Sequence, residues 1–130
     1  MENGNNINND SSLESKQLKV LLLDDDAIDN FVNQKIFDSY GKYSCRVFQF
    51  AAQALAHLIQ SKTKYDYLVV DIYMSGMDGF VFIEQLKNKL LDKTQGQIII
   101  LTASLNPIDR EKTSSLGLKF MEKPFCIENL

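Results

Sequence analysis

The sequence lacks the features that would place it in several large classes of protein. No apolar run approaches the roughly 18 residues of a membrane-spanning helix, and the N-terminus has no signal-peptide core. The net charge is −3, so no strongly basic surface indicates binding to nucleic acid or anionic lipid. The only two cysteines, Cys45 and Cys126, match no metal-ligand or redox spacing. We therefore predict reduced thiols in a cytoplasmic protein that contacts neither nucleic acid nor membrane directly.

Two phosphate-binding loops are also missing. No glycine-rich segment ends in Gly-Lys-Ser or Gly-Lys-Thr, the mark of nucleotide-binding P-loop proteins. A flavodoxin-like cofactor protein would need a loop rich in glycine and hydroxyl groups after its first strand. The sequence has "DDDAID" there, and its carboxylates would repel a phosphate. Both cofactor classes are disfavoured.

Composition divides the chain near residue 17. Residues 1–17 are rich in Asn, Ser, Glu and Gly and contain few large apolar side chains. Such a segment cannot offset its ordering entropy by burial, so we predict a disordered polar tail. The rest of the 130-residue chain is long enough for one ordinary domain, which we assign to residues 18–130.

Within this domain, apolar segments that predict strands alternate with segments of helical periodicity. Continuous apolar runs, typical of strands buried on both faces, and two weaker segments give five predicted strands: 18–24, 44–50, 65–71, 97–103 and 118–123. Between them, apolar residues recur at helical spacing: Ile28, Phe31, Val32 and Ile36; Ala52, Leu55, Leu58 and Ile59; Ile83, Leu86 and Leu90. Asn106 and Pro107 are typical of a helix N-terminus.

The spacing of the strands predicts the fold class. Each connection is too long for a hairpin and long enough for a crossover helix. We therefore predict an α/β fold, in which a doubly wound five-stranded parallel sheet carries helices on both faces. The chain ends at Leu130, where a fifth helix would only be starting, so that helix is expected to be truncated or very short.

Polar side chains follow four of the predicted strands, at the edge where ligands bind in open parallel sheets. Asp24, Asp25 and Asp26 end the first strand, Asp71 the third, Thr102 the fourth and Lys123 the fifth. Asp26 is interpreted as a helix cap. Two carboxylates about 4 Å apart repel by roughly 4 kcal/mol at an effective dielectric near 20, which capping alone does not justify. The cluster is better explained as the cradle of a hard divalent cation, Mg²⁺ or Mn²⁺.

A role for Asp71 unites these groups. A carboxylate at a strand end can act as the nucleophile that accepts a phosphoryl group and forms an acyl phosphate. Thr102 would donate a hydrogen bond to one phosphoryl oxygen, and Lys123 would pair with another. The sequence therefore points to phosphoryl transfer at this edge of the sheet.

The chain resembles the receiver domains of bacterial two-component response regulators. The resemblance runs from about Lys19 to Phe125 and rests on "LLLDDD", "VVDIYMSGMDG", "ILTAS" and "EKPF", in that order. It implies the strand order 2-1-3-4-5. The chain departs from the family pattern at Ser75–Gly76, where a proline usually follows the methionine; this should loosen the loop.

The resemblance also implies roles for individual residues. Asp71 corresponds to the phosphoacceptor, Asp25 to the carboxylate that binds the metal directly, and Asp24 to the acid that holds it through water. Tyr73 would add its backbone carbonyl to the metal ligands. Thr102 and Phe120 correspond to the switch residues. Lys123 corresponds to the family's lysine and would form a cis peptide bond with Pro124.

By the same resemblance, the expected activity is signalling rather than enzymatic turnover of a substrate. A sensor histidine kinase or a histidine phosphotransfer protein would supply the phosphoryl group, and an unknown downstream protein would respond. The only catalytic activities that we expect are self-phosphorylation from small donors and autodephosphorylation. Tyr73 and Ser104 occupy positions that tune phosphoryl loss in the family, and we predict that Tyr73 shields the acyl phosphate, so that Tyr73→Asn speeds its hydrolysis.

Two alternatives remain at this point. One is a receiver-like interaction module that works without phosphorylation. The other is a phosphatase of the haloacid-dehalogenase type, which would need a second acid two positions after Asp71, where this chain has Tyr73.

Overall fold

The computed structural model describes residues 17–89 and 96–130. The predicted disordered tail, except for its last residue, and the predicted helix position Leu90 lie outside the described residues. No helix of the described ranges is both long and apolar enough to cross a membrane.

Within the described ranges, five strands alternate with four α-helices. The strands are β1 (Leu18–Leu23), β2 (Tyr43–Phe48), β3 (Tyr67–Val70), β4 (Gln97–Thr102) and β5 (Lys119–Glu122). The helices are α1 (Ala27–Asp38), α2 (Ala51–Gln60), α3 (Gly79–Lys89) and α4 (Pro107–Ser115). After β5 the chain forms a one-turn 3-10 helix, Ile127–Asn129, in the place where a truncated or very short fifth helix was expected.

The strands form one parallel sheet in the order β2-β1-β3-β4-β5. This confirms the predicted α/β class, the parallel sheet and the strand order. The order in which the strands are added to the sheet reverses between β1 and β3. These two strands are neighbours in the sheet, although β2 separates them in sequence. The carboxyl ends of β1 and β3 therefore flank the point where ligands bind in such sheets.

Alternate residues of the central strands pack on opposite faces of the sheet. In β1, Leu21 and Leu23 contact the cluster that α2 and α3 cover. Val20 and Leu22 contact the cluster that contains Phe37 of α1. Since all four side chains are at most 1% exposed, β1 is covered on both sides, which explains its continuous apolar sequence.

Most of the apolar stripe predicted for α1 faces solvent, although Ile36 packs partly against the core. Ile28 and Phe31 are 72% and 60% exposed, whereas Asn30 and Asn33 are buried. The side-chain amide of Asn30 donates to the backbone oxygens of Asp24 and Phe48, at 2.7 and 3.1 Å. These bonds join the ends of β1 and β2, so a polar residue occupies the inner face of the helix.

The predicted face of α2 is also shifted. Leu58 is buried and Leu55 partly buried as expected, but Ala52 and Ile59 are exposed. Ala51 and Ala54 take their places in the core, because small side chains allow the helix to approach the sheet closely.

The helix caps agree with the sequence. The Asp26 carboxylate accepts from the N–H groups of Ile28 and Asp29 at the start of α1. Asn106 accepts from the N–H of Ile108 at the start of α4, where Pro107 is the first helical residue. The Lys123–Pro124 peptide bond is cis, as the resemblance implied.

Candidate functional site

The register between β1 and β3 places the acidic ends of the two strands side by side. Leu23 pairs with Val70, and the N–H of Asp71 donates to the carbonyl of Leu23 at 3.0 Å. Asp24 and Asp71 therefore occupy corresponding positions, one residue beyond each strand. Both side chains are buried, with 3% and 7% of the residue exposed.

Three carboxylates converge there. Asp24, Asp25 and Asp71 each offer an oxygen, and these three atoms all lie within 4.8 Å of one another. An oxygen-only donor set of this kind suits Mg²⁺, which binds one or two carboxylates together with water and phosphate oxygens. The residues present thus fit the divalent cation that the sequence predicts.

The partners of Asp24 and Asp25 distinguish their roles. Asp24 uses both oxygens within the protein: Oδ1 accepts the N–H of Asp26 at 2.9 Å, and Oδ2 accepts Nζ of Lys123 at 2.8 Å. Asp25 accepts the N–H and hydroxyl of Ser75 with Oδ2 alone, at 2.9 and 3.2 Å. No hydrogen bond from the described residues reaches Oδ1 of Asp25, so this oxygen can bind an ion. This difference is consistent with Asp25 as the direct ligand and Asp24 as the acid that acts through water, and both roles stay predictions.

Lys123, the residue after β5, pairs with the carboxylates at this edge of the sheet. Its Nζ lies 2.8 Å from Asp24, 2.7 Å from Asp29 and 3.7 Å from the Oδ1 atom of Asp71. The sequence analysis missed Asp29. This residue lies in the first turn of α1, where the helix dipole alone explains an acidic side chain. Its contact with a lysine 94 positions away has no signal in the local pattern.

The electrostatics of the cluster are unusual. Burial, and secondly the Asp24 carboxylate, raise the pKa of Asp71 to about 7, although Lys123 acts in the opposite direction. Burial alone would lower the pKa of Lys123, but its hydrogen bonds with Asp24 and Asp29 outweigh that effect and raise it. Without a further cation, the site therefore holds one carboxylate that ionises only near neutral pH.

The predicted switch residues lie on β4 and β5. Thr102 is buried, and its Oγ1 accepts the N–H of Ser104 at 3.1 Å, so its own hydroxyl proton remains available for donation. Phe120 is partly buried against the core on the α2–α3 side of the sheet. The guanidinium of Arg110 lies 4.4 Å from the centre of its ring. Their switching role stays a prediction.

The side chain of Tyr73 makes a contact that the sequence did not predict. The residue is 56% exposed, and its hydroxyl donates to Oδ2 of Asp109 at 2.5 Å. The hydroxyl of Ser104 donates to the same oxygen at 2.8 Å. The metal-binding role of the Tyr73 carbonyl, by contrast, stays a prediction from the resemblance.

The turn between Asp71 and α3 depends on glycine. Gly76 has φ of 85°, in the left-handed region. A Cβ atom on Gly79 would lie 2.3 Å from the carbonyl oxygen of Asp71, so no side chain fits. Asp78 accepts the N–H of Val81 at 2.9 Å and stabilises the start of α3, so its role here is structural.

Comparisons with known proteins agree with this architecture. The family model of the response regulator receiver domain matches residues 20–130. A receiver domain of the Francisella response regulator 1452 is 27% identical, with a TM-score of 0.69 over 87% of this chain and 89% of its own. A two-component response regulator from Cytophaga hutchinsonii is 26% identical, with a TM-score of 0.76 over 85% and 89%.

A third similar structure is the chemotaxis protein CheY4 of Vibrio cholerae. It is 26% identical, with a TM-score of 0.69, and the match covers 86% of this chain and 91% of that protein. A search of curated proteins gave no significant match.

Proposed function

Because the chain belongs to the family of response regulator receiver domains, we propose that it accepts a phosphoryl group on Asp71 and thereby changes its affinity for a partner protein. The donor would be a sensor histidine kinase or a histidine phosphotransfer protein. The reaction would depend on Mg²⁺ and take place in the cytoplasm. The protein would act as a signalling component and would turn over no substrate beyond its own acyl phosphate.

The observation that carries this proposal is the grouping of Asp24, Asp25 and Asp71 around a single point, with Lys123 3.7 Å from Asp71. Structural needs explain only part of this group. A buried carboxylate whose pKa is raised to about 7 by its surroundings costs stability at neutral pH. Such an arrangement is typical of a functional site that binds a cation together with an anionic reactant.

The transfer step follows from the positions of the groups. A carboxylate oxygen of Asp71 forms a bond to phosphorus, while the bond between phosphorus and the ring nitrogen of the donor histidine breaks and its electron pair stays on that nitrogen. Lys123 pairs with one phosphoryl oxygen, which requires its ammonium to loosen its contacts with Asp24 and Asp29. Thr102 donates its hydroxyl proton to another.

Asp25, Asp71 and the backbone carbonyl of Tyr73 would hold the Mg²⁺ ion, and Asp24 would hold it through water. When bound, the ion neutralises the negative charge that gathers on the transferred group.

Intact mass spectrometry tests the proposal. The protein is incubated with acetyl phosphate, with Mg²⁺ or with EDTA, and Asp71→Asn serves as the matched control. We expect a Mg²⁺-dependent gain of one phosphoryl group that the variant lacks. Failure with both acetyl phosphate and a phosphorylated histidine phosphotransfer protein would contradict the proposal and favour an interaction module that works without phosphorylation.

A further inference from the structure

Asp109 is a buried carboxylate that the proposed transfer step does not use. It lies in the first turn of α4 and is 8% exposed. No lysine, arginine or histidine of the described residues forms an ion pair with it. Its Oδ2 atom instead accepts two hydroxyl groups, from Tyr73 at 2.5 Å and from Ser104 at 2.8 Å.

Helix capping does not account for this arrangement. An acid at the third helical position can reach back to the N–H of the capping residue, which here is Asn106. That N–H donates to the hydroxyl of Ser104 at 3.1 Å instead. Asp109 is thus free of the capping role and serves to hold two hydroxyl groups.

The two hydroxyl groups come from segments that border the phosphoacceptor. Tyr73 follows Asp71 by two positions, after β3, and Ser104 follows Thr102 by two positions, after β4. Because β3 and β4 are neighbouring parallel strands, these two segments lie side by side at the edge of the sheet that carries the site. The Tyr73–Asp109 bond ties the first segment to the helix that follows the second.

We propose that Asp109 is a positioning residue that holds the Tyr73 side chain across the approach to Asp71 and so limits the access of water and small reagents to the group on that residue. The 56% exposure of Tyr73 supports this, since the core does not fix the ring and its hydroxyl bond is the contact that holds its far end. The inference deepens the proposed function, because it assigns to Asp109 a part in the lifetime of the acyl phosphate.

Access is tested first in a way that needs no phosphoryl transfer. Asp71→Cys is combined with Asp109→Ala, with Tyr73→Phe or with both, and peptide mass spectrometry follows the alkylation of position 71 by iodoacetamide. Glu111→Ala is the matched control, because it removes an exposed acid from the same helix. We expect Asp109→Ala and Tyr73→Phe each to speed alkylation by about three- to tenfold, since each removes the same hydrogen bond. The double variant should be no faster than either, and the control should match the parent.

Two results would overturn the inference: equal alkylation rates in all backgrounds, or a rate raised by Asp109→Ala but not by Tyr73→Phe. The second would mean that Asp109 acts through Ser104 or through the fold rather than through Tyr73.

The lifetime of the phosphoryl group is measured next, in protein that keeps Asp71. After donor removal, loss of the added mass should be faster by a similar factor in Asp109→Ala and Tyr73→Phe, and unchanged in Glu111→Ala. Unchanged lifetimes in protein that does take up phosphate would refute the effect on water. A protein whose alkylation responds as expected but which takes up no phosphate would keep the positioning role and refute the proposed function, so the two failures are distinguishable.

Discussion

The raised pKa of Asp71 leads to a prediction about stability that needs no kinase. Asp71→Asn replaces the carboxylate by a neutral group of nearly the same size. In the metal-free protein, the native state ionises Asp71 at about pH 7, whereas the ordinary value is 3.8. The native state therefore binds this proton more tightly than the unfolded chain does. Its contribution to stability is full below about pH 4 and is lost as the pH rises to about 7.

The size of the effect follows from the same values. The full difference in pKa corresponds to a loss of about 4 kcal/mol in the free energy of unfolding at pH 8. Because solvent screens part of this effect, we expect a loss of about 1–3 kcal/mol. Asp71→Asn removes this cost. In EDTA at pH 8 the variant should therefore melt roughly 4–12 °C above the parent, since about 1 kcal/mol shifts the melting temperature of a domain of this size by about 4 °C.

The assay is thermal unfolding followed by circular dichroism in EDTA between pH 4 and pH 8, with Glu84→Gln as a control for the loss of an exposed acid. The difference in melting temperature between variant and parent should shrink toward pH 4, because Asp71 of the native parent is then protonated and neutral. Equal stability at pH 8, or an advantage that does not change with pH, would refute the explanation by burial and by repulsion from Asp24.

Three further changes test other parts of the site. Asp25→Asn should raise the melting temperature of the metal-free protein by about 4 °C, because it relieves repulsion, and should abolish the rise that Mg²⁺ causes in the parent; destabilisation would contradict the repulsion argument. Lys123→Met should lower the free energy of unfolding by about 2–4 kcal/mol in urea at pH 7, because it leaves its carboxylate partners unpaired; the loss should be smaller at pH 4, and an equal loss at both would indicate packing instead. Gly79→Ala should cost about 1–3 kcal/mol, because its Cβ would meet the carbonyl oxygen of Asp71; an unchanged urea midpoint would show that the turn can open.

The sequence predicted those features that depend on local pattern or on the ends of buried strands. β1, β3 and β4 are continuous apolar runs, and carboxylate oxygens of Asp24 and Asp71 lie within 4.8 Å of each other because parallel strands place their carboxyl ends at one edge. The caps at Asp26 and Asn106 depend on side chains that bond within their own turn, so they too are local.

The features that it missed depend on contacts between distant segments. Periodicity assigned Ile28 and Phe31 to the buried face of α1. Asn30 is buried instead, because its side-chain amide bridges the ends of β1 and β2. The contact between Lys123 and Asp29 joins the two ends of the domain, and no sequence pattern marks it. The bond between Tyr73 and Asp109 likewise appears only when the two chain segments are placed together.

The narrow turn at Gly79 has a consequence for how this domain can be re-engineered. The N–H of Gly79 donates to the carbonyl of Ile72 at 2.7 Å and closes the base of the segment between them. Asp71, which precedes Ile72, is thus held close to the first turn of α3. Apart from Gly76, whose φ of 85° the turn requires, the side chains of residues 73–77 can therefore be exchanged at constant length to retune the chemistry, while the scaffold on either side keeps its place.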